Sequence, residues 1–137
     1  MILFFDACAL IYRFEGIAAF QAAAARVVAE ARREHPHARP ACSRLSRLEC
    51  RVKPLRQGDQ ELLRRYEQFF ADPHLRMVDL DAGVIEHATR LRAATGLKTP
   101  DALHAACALS LPSPVLFITG DLGFERVPGL AVRRMVV

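Results

Sequence analysis

The chain has 137 residues, 52% of them hydrophobic and 25% charged, with a formal net charge of +4. That length suits one domain spanning 1–137, and that apolar content is enough for a core and excludes disorder. No stretch approaches the roughly 18 apolar residues of a membrane span. The amino-terminal end lacks a basic region and its apolar run stops at Asp6, so no signal peptide is expected and the expected compartment is the cytoplasm.

In chain order, residues 2–6 predict a strand, short and continuously apolar, hence buried on both faces. An alanine-rich helix is expected over 16–33, and HPHARP at 35–40 ends it, because its two prolines cannot continue a helix. A helix over 43–54 is expected to stop before Pro54, and another over 59–71 to stop at Asp72-Pro73. LRMVDL at 75–80 predicts a strand, and 82–95 a helix closed by Gly96. Residues 100–110 predict a helix with Thr99 at the N-cap and Pro100 in its first position. VLFIT at 115–119 and LAVRRMVV at 130–137 predict the last two strands. Apolar strands alternating with helices indicate an α/β fold with a mostly parallel sheet covered on both sides. In such sheets ligands bind beyond the carboxyl ends of the strands.

Cys8, Cys42, Cys50 and Cys107 form no CxxC pair and sit in apolar or helical contexts, which predicts free thiols rather than a zinc or disulfide framework. The positive charge is uneven. Residues 26–65 hold eleven Lys/Arg against five Asp/Glu, while the remainder holds eight against ten. A basic half suits a polyanion ligand, but a solvated arginine-rich face explains the charge equally simply.

Four acids occupy positions that raise a question about chemistry. Asp6 and Asp121 each lie just past a predicted strand. As structural residues, Asp6 would cap a short helix that follows it, and Asp121 would be a turn or N-cap residue. Glu49, in SRLSRLEC, forms a capping box with Ser46 if the helix begins there. If the helix begins at Ser43, then Leu45, Leu48 and Val52 form one inward stripe with Glu49 at its edge, and Arg44, Arg47 and Arg51 face outward. Both placements of Glu49 stay open on the sequence. Asp101 in a first helical turn favours the helix dipole, yet Ala105 and Ala108 put it on a closely packed side. Clustered carboxylates raise one another's pKa, and a hard divalent cation relieves that repulsion. An all-oxygen donor set suits Mg²⁺ or Mn²⁺ rather than zinc. Such ions activate water and neutralise charge on a phosphodiester under attack.

The segments LFFDACAL, SRLSRLECRV, GLKTPDALHAACAL and FITGDLGFERVPGLAV resemble, in order, those of the PIN-domain nucleases, and in particular the VapC-type toxins of toxin–antitoxin pairs. The resemblance covers the whole chain. It implies a three-layer α/β/α sandwich and a Mg²⁺- or Mn²⁺-dependent endoribonuclease toxin whose catalytic, metal-holding acids fall on Asp6, Glu49, Asp101 and Asp121. It matches Ser43 to the serine that opens the Glu-bearing helix. It matches Thr119 to a hydroxyl that contacts an acid or an ion's water. It further implies an RNA substrate, a small cognate antitoxin and a homodimer. On that reading Arg44, Arg47, Arg51 and Lys53 are candidates to grip the RNA backbone. Two positions depart from the family pattern: Cys8 stands where Ser or Thr is frequent, and Gly120 where Asn is common. These departures motivate the alternative of a PIN-fold module that grips RNA or protein without cutting. A phosphotransfer domain on a similar sheet is disfavoured, since position 8 is not acidic and the last lysine, Lys98, precedes the expected strand. His104, three residues past Asp101, is expected to be a hydrogen-bonded structural histidine, and His35 and His37 receive no role.

Overall fold

The computed structural model describes residues 1–112 and 114–137. Its centre is β1 (Ile2–Phe5), paired in parallel with β2 (Arg39–Ser43) on one side and β4 (Val115–Thr119) on the other. The sheet is completed by β3 (Arg76–Val78) beside β2 and β5 (Ala131–Arg134) beside β4, all parallel, in the order β3-β2-β1-β4-β5. The chain leaves β1 toward one edge and later returns to its other side, so β1 and β4 flank the switch in direction where α/β sheets open a crevice.

Alternation along the strands divides the core. Ile2, Phe4 and Phe117 pack on one face under α5 (Ala82–Thr95) and α6 (Thr99–Leu109). Leu3, Phe5, Leu116 and Ile118 pack on the other under α1 (Ala7–Glu15), α2 (Ala18–Glu34), α3 (Leu45–Gln57) and α4 (Gln60–Phe70). This is the expected three-layer sandwich. Successive side chains of a strand point to opposite faces, so a continuously apolar strand feeds two cores at once.

Local boundaries differ from the sequence expectations in ways that have physical reasons. Residues 7–15 are helical (α1), with Asp6 as the cap. HPHARP does end α2, but β2 starts inside it at Arg39. Pro40 is tolerated because β3 first pairs with β2 at Ala41, so one side of the strand is still open where the donor is missing. Pro54 does not end α3; it is buried within the helix, which runs on to Gly58, whose φ of 67° closes it. Lys98, not Thr99, is the cap of α6, and Pro100 follows in its first turn. The outer strands are shorter than 75–80 and 130–137.

The expected inward stripe on α3 is a correction of more consequence. Leu48 and Val52 are 58% and 40% exposed, and the buried face is Ser46, Cys50 and Pro54. These smaller side chains let α3 lie close to its neighbours. Arg47 and Arg51 turn partly inward: the Arg47 guanidinium stands 5.5 Å from the Phe70 ring centre, and both arginines pair with Glu67 of α4. Arginine stems cover apolar surface while their heads reach a charge, so they compete with leucine for this face.

Candidate active site

Asp6 is 2% exposed, at the carboxyl end of β1. One carboxylate oxygen, Oδ1, accepts the Ala9 amide at 2.8 Å, capping α1. The other, Oδ2, accepts the Thr119 hydroxyl at 2.5 Å. The capping role and the site role thus fall on the same residue. Burial pushes the Asp6 carboxyl up to about 6, against the lowering effect of the Thr119 and Ala9 hydrogen bonds. The Thr119 hydroxyl oxygen also accepts the Asp121 amide at 3.0 Å, which ties the ends of β1 and β4 together. Asp121 caps the short 3₁₀ turn Leu122–Arg126 by accepting the Gly123 amide at 2.9 Å, and is otherwise exposed.

The helices bring the other two acids. Asp101, in the first turn of α6, is half-buried. Burial first, then the neighbouring Asp121 and Glu49 charges, hold its carboxyl above the ordinary range, with His104 and Lys98 opposing. Glu49 Oε1 lies 2.6 Å from His104 Nε2. Ser46 lies inside α3 with its hydroxyl buried and without a partner among the described residues, so no capping box forms. Asp6, Glu49, Asp101 and Asp121 all line one cleft of about 290 Å³, with Cys8, Tyr12 and His104.

Other expected residues lie elsewhere. Ser43 is fully buried at the end of β2, and its hydroxyl accepts the Leu45 amide at 2.9 Å, starting α3 without reaching the cleft. Arg44 pairs with Asp79, Arg47 and Arg51 with Glu67, and Lys53 with Glu15, and none of the four lines the cleft. Tyr12 was not foreseen. Its ring fills the space beside Gly120, where an added Cβ would fall 2.7 Å from Tyr12 Cε2 and 3.1 Å from Cys8 Sγ. The glycine at 120 and the aromatic at 12 therefore fit each other. A glycine ahead of an acid was the one sequence signal for this packing. Burial and the Asp6 charge raise the Cys8 thiol, which keeps it protonated.

The donor set suits a hard divalent cation. It is all carboxylate oxygen, and Asp6, Asp101 and Asp121 take no cationic partner in any ion pair among the described residues. Among the described residues no three acidic, histidine or cysteine side chains form a ready-made cage. Mg²⁺ ordinarily keeps several waters and takes one or two carboxylates directly, so an open set of acids fits it better than a closed cage.

The PIN domain family model matches residues 3–130. VapBC2 from Rickettsia felis, solved bound to a DNA fragment from its promoter, superposes with a TM-score of 0.76 at 16% identity, covering 99% of this chain and 100% of that one. A toxin–antitoxin complex from Klebsiella pneumoniae gives a TM-score of 0.71 at 21% identity, with 98% of each chain covered. VapBC-1 from nontypeable Haemophilus influenzae gives 0.72 at 19% identity, also over 98% of each chain. At these identities the likeness is one of fold. No curated protein matches the chain by sequence.

Proposed function

The chain belongs to the PIN-domain family, and from that premise we propose that it is a divalent-metal-dependent endoribonuclease, the toxin member of a toxin–antitoxin pair. The observation that carries this reading is the convergence of Asp6, Glu49, Asp101 and Asp121, from four separate segments, on one cleft. Buried, mutually repelling carboxylates cost stability, and their assembly makes sense as a cation site.

Asp6, Asp101, Asp121 and Glu49 would hold Mg²⁺ or Mn²⁺, directly or through water. Such an ion supplies activation of a water and charge neutralisation at a phosphodiester. The chain's own groups prepare the site. Thr119 keeps one Asp6 oxygen turned toward β4, and the α1 amide at Ala9 keeps the other in place. Tyr12 and Cys8 wall the cleft beside Gly120. Arg44, Arg47, Arg51 and Lys53 would serve RNA only by exchanging their present acidic partners for phosphates, which makes them peripheral contacts.

The neighbours' toxin–antitoxin assemblies support a small antitoxin as partner. The hollow of about 470 Å³ lined by Leu10, Phe14, Ala25, Val28, Phe69 and Met135 suits an apolar helix face of such a protein. The exposed Leu48, Val52 and Leu55 of α3 suit contact with a second copy.

The test is cleavage of RNA by purified protein with Mg²⁺ or Mn²⁺ and with EDTA. Asp6→Asn and Asp101→Asn are expected to stay folded by circular dichroism and to lose cleavage. Full cleavage by both variants overturns the reading. The non-cutting module, motivated by Cys8 and Gly120, gives a distinct result: RNA is retained on the protein and stays intact with or without metal.

A further inference from the structure

His104 is 2% exposed, surrounded on α6 by Ala102, Ala105, Ala106, Cys107 and Ala108, all buried. A polar ring in so apolar a place needs partners. Only one of its nitrogens has one: Nε2 meets Glu49 Oε1 at 2.6 Å, while the buried Nδ1 has no partner among the described residues. A carboxylate only accepts, so at this contact Nε2 donates to Glu49. A histidine kept purely for packing would be expected to pair both nitrogens or to bond the backbone. Here its single bond goes to a cleft acid on another helix.

That acid has no other side-chain hydrogen bond among the described residues. Asp6 is held by the Ala9 amide and the Thr119 hydroxyl, and Asp121 by the Gly123 amide. Glu49 is the longest of the four side chains, 28% exposed, and His104 is its hydrogen-bond partner. His104 also lies one turn beyond Asp101 on α6. We propose that His104 is a positioning residue: it clamps Glu49 Oε1 toward α6, so that the same helix that presents Asp101 also sets where the second helical acid stands, and Oε2 would be the oxygen that takes a cation or its water. The proposal rests on the nuclease reading above. Outer partners that orient a metal-holding carboxylate typically contribute 10- to 100-fold in metal affinity.

Mn²⁺ binding to the purified full chain, followed by the EPR signal of the free ion, tests it. His104→Phe keeps the ring and removes the donor. His104→Gln restores an N–H at a similar reach. His104→Phe is expected to weaken Mn²⁺ binding about 10- to 100-fold, to melt like the parent in EDTA within a few degrees, and to regain cleavage at high Mn²⁺. His104→Gln is expected to bind within roughly threefold of the parent, a rescue that a packing role would not produce. If His104→Phe does not fold, the parent chain still decides: imidazole ¹H–¹⁵N spectra should show the Nε2–H tautomer and shifts for His104 alone among the five histidines as Mg²⁺ is added. Unchanged Mn²⁺ affinity in His104→Phe, or immobile His104 signals, overturns the proposal. Asp6→Asn separates the two levels: if it leaves Mn²⁺ binding intact, the nuclease reading itself has failed.

Discussion

The Thr119 hydroxyl donates to Asp6 Oδ2 at 2.5 Å while its oxygen accepts the Asp121 amide, so two acids 115 positions apart in sequence are joined by one side chain. Thr119 is itself fully buried. Replacing it with valine keeps the shape and leaves a buried carboxylate oxygen without its donor. Thr119→Val should destabilise the chain by about 1–3 kcal/mol in urea unfolding and weaken Mn²⁺ binding. A neutral substitution would mean that water or another group satisfies Asp6.

The Asp6 carboxyl gives a pH prediction with a definite sign. Its value in the fold, about 6, lies above the 3.8 of an unperturbed aspartate. Between those values the folded chain holds a proton that the unfolded chain has released, so stability falls as pH rises through this window and stays lower above it. The cost at full ionisation is about 3 kcal/mol. Asp101 is shifted in the same direction. In EDTA, Asp6→Asn should therefore melt higher than the parent at pH 7.5, with the gap closing near pH 4. A gap that does not depend on pH would show that burial imposes no such cost.

Metal should reverse that penalty. Mn²⁺ is expected to raise the parent's melting temperature at pH 7.5, as any ligand of the native state must. Its effect should shrink at pH 5, where protons compete for the same oxygens, and vanish in Asp6→Asn. Differential scanning fluorimetry across the two pH values checks this. An equal shift in Asp6→Asn would place the ion elsewhere.

Gly120 and Tyr12 make a paired prediction. A Cβ at 120 would meet the Tyr12 ring at 2.7 Å, so Gly120→Asn, the residue common in the family, should cost about 1–3 kcal/mol here through overpacking. Adding Tyr12→Ala should recover part of that loss, a non-additivity expected of residues in contact. Strict additivity would mean that the ring does not occupy this space in solution.

The α3 surface carries a prediction about assembly. Leu48 and Leu55 are 58% and 60% exposed. Leu48→Glu with Leu55→Glu should convert a dimer to a monomer by light scattering without loss of fold. Identical masses for variant and parent would remove α3 from the interface.

Much of the layout was legible in the chain because it depends on local periods. The apolar runs at 2–5 and 115–119 marked buried parallel strands, and an acid within two residues of each marked a ligand-facing end. Glycine at 96 and proline at 100 punctuated the α5–α6 pair. Local pattern failed where packing chose between acceptable faces. On α3 the helical period put leucines inward and arginines outward, but the Phe70 ring and Glu67 carboxylate of α4 drew Arg47 and Arg51 partly in. Sequence by itself determined which acids stood at the ends of elements. Only the tertiary structure decided that Glu49 turns to His104 rather than to a capping box, and that Tyr12 fills the space beside Gly120. Both depend on side chains separated by tens of residues, whose meeting is set by how helices pack on the sheet.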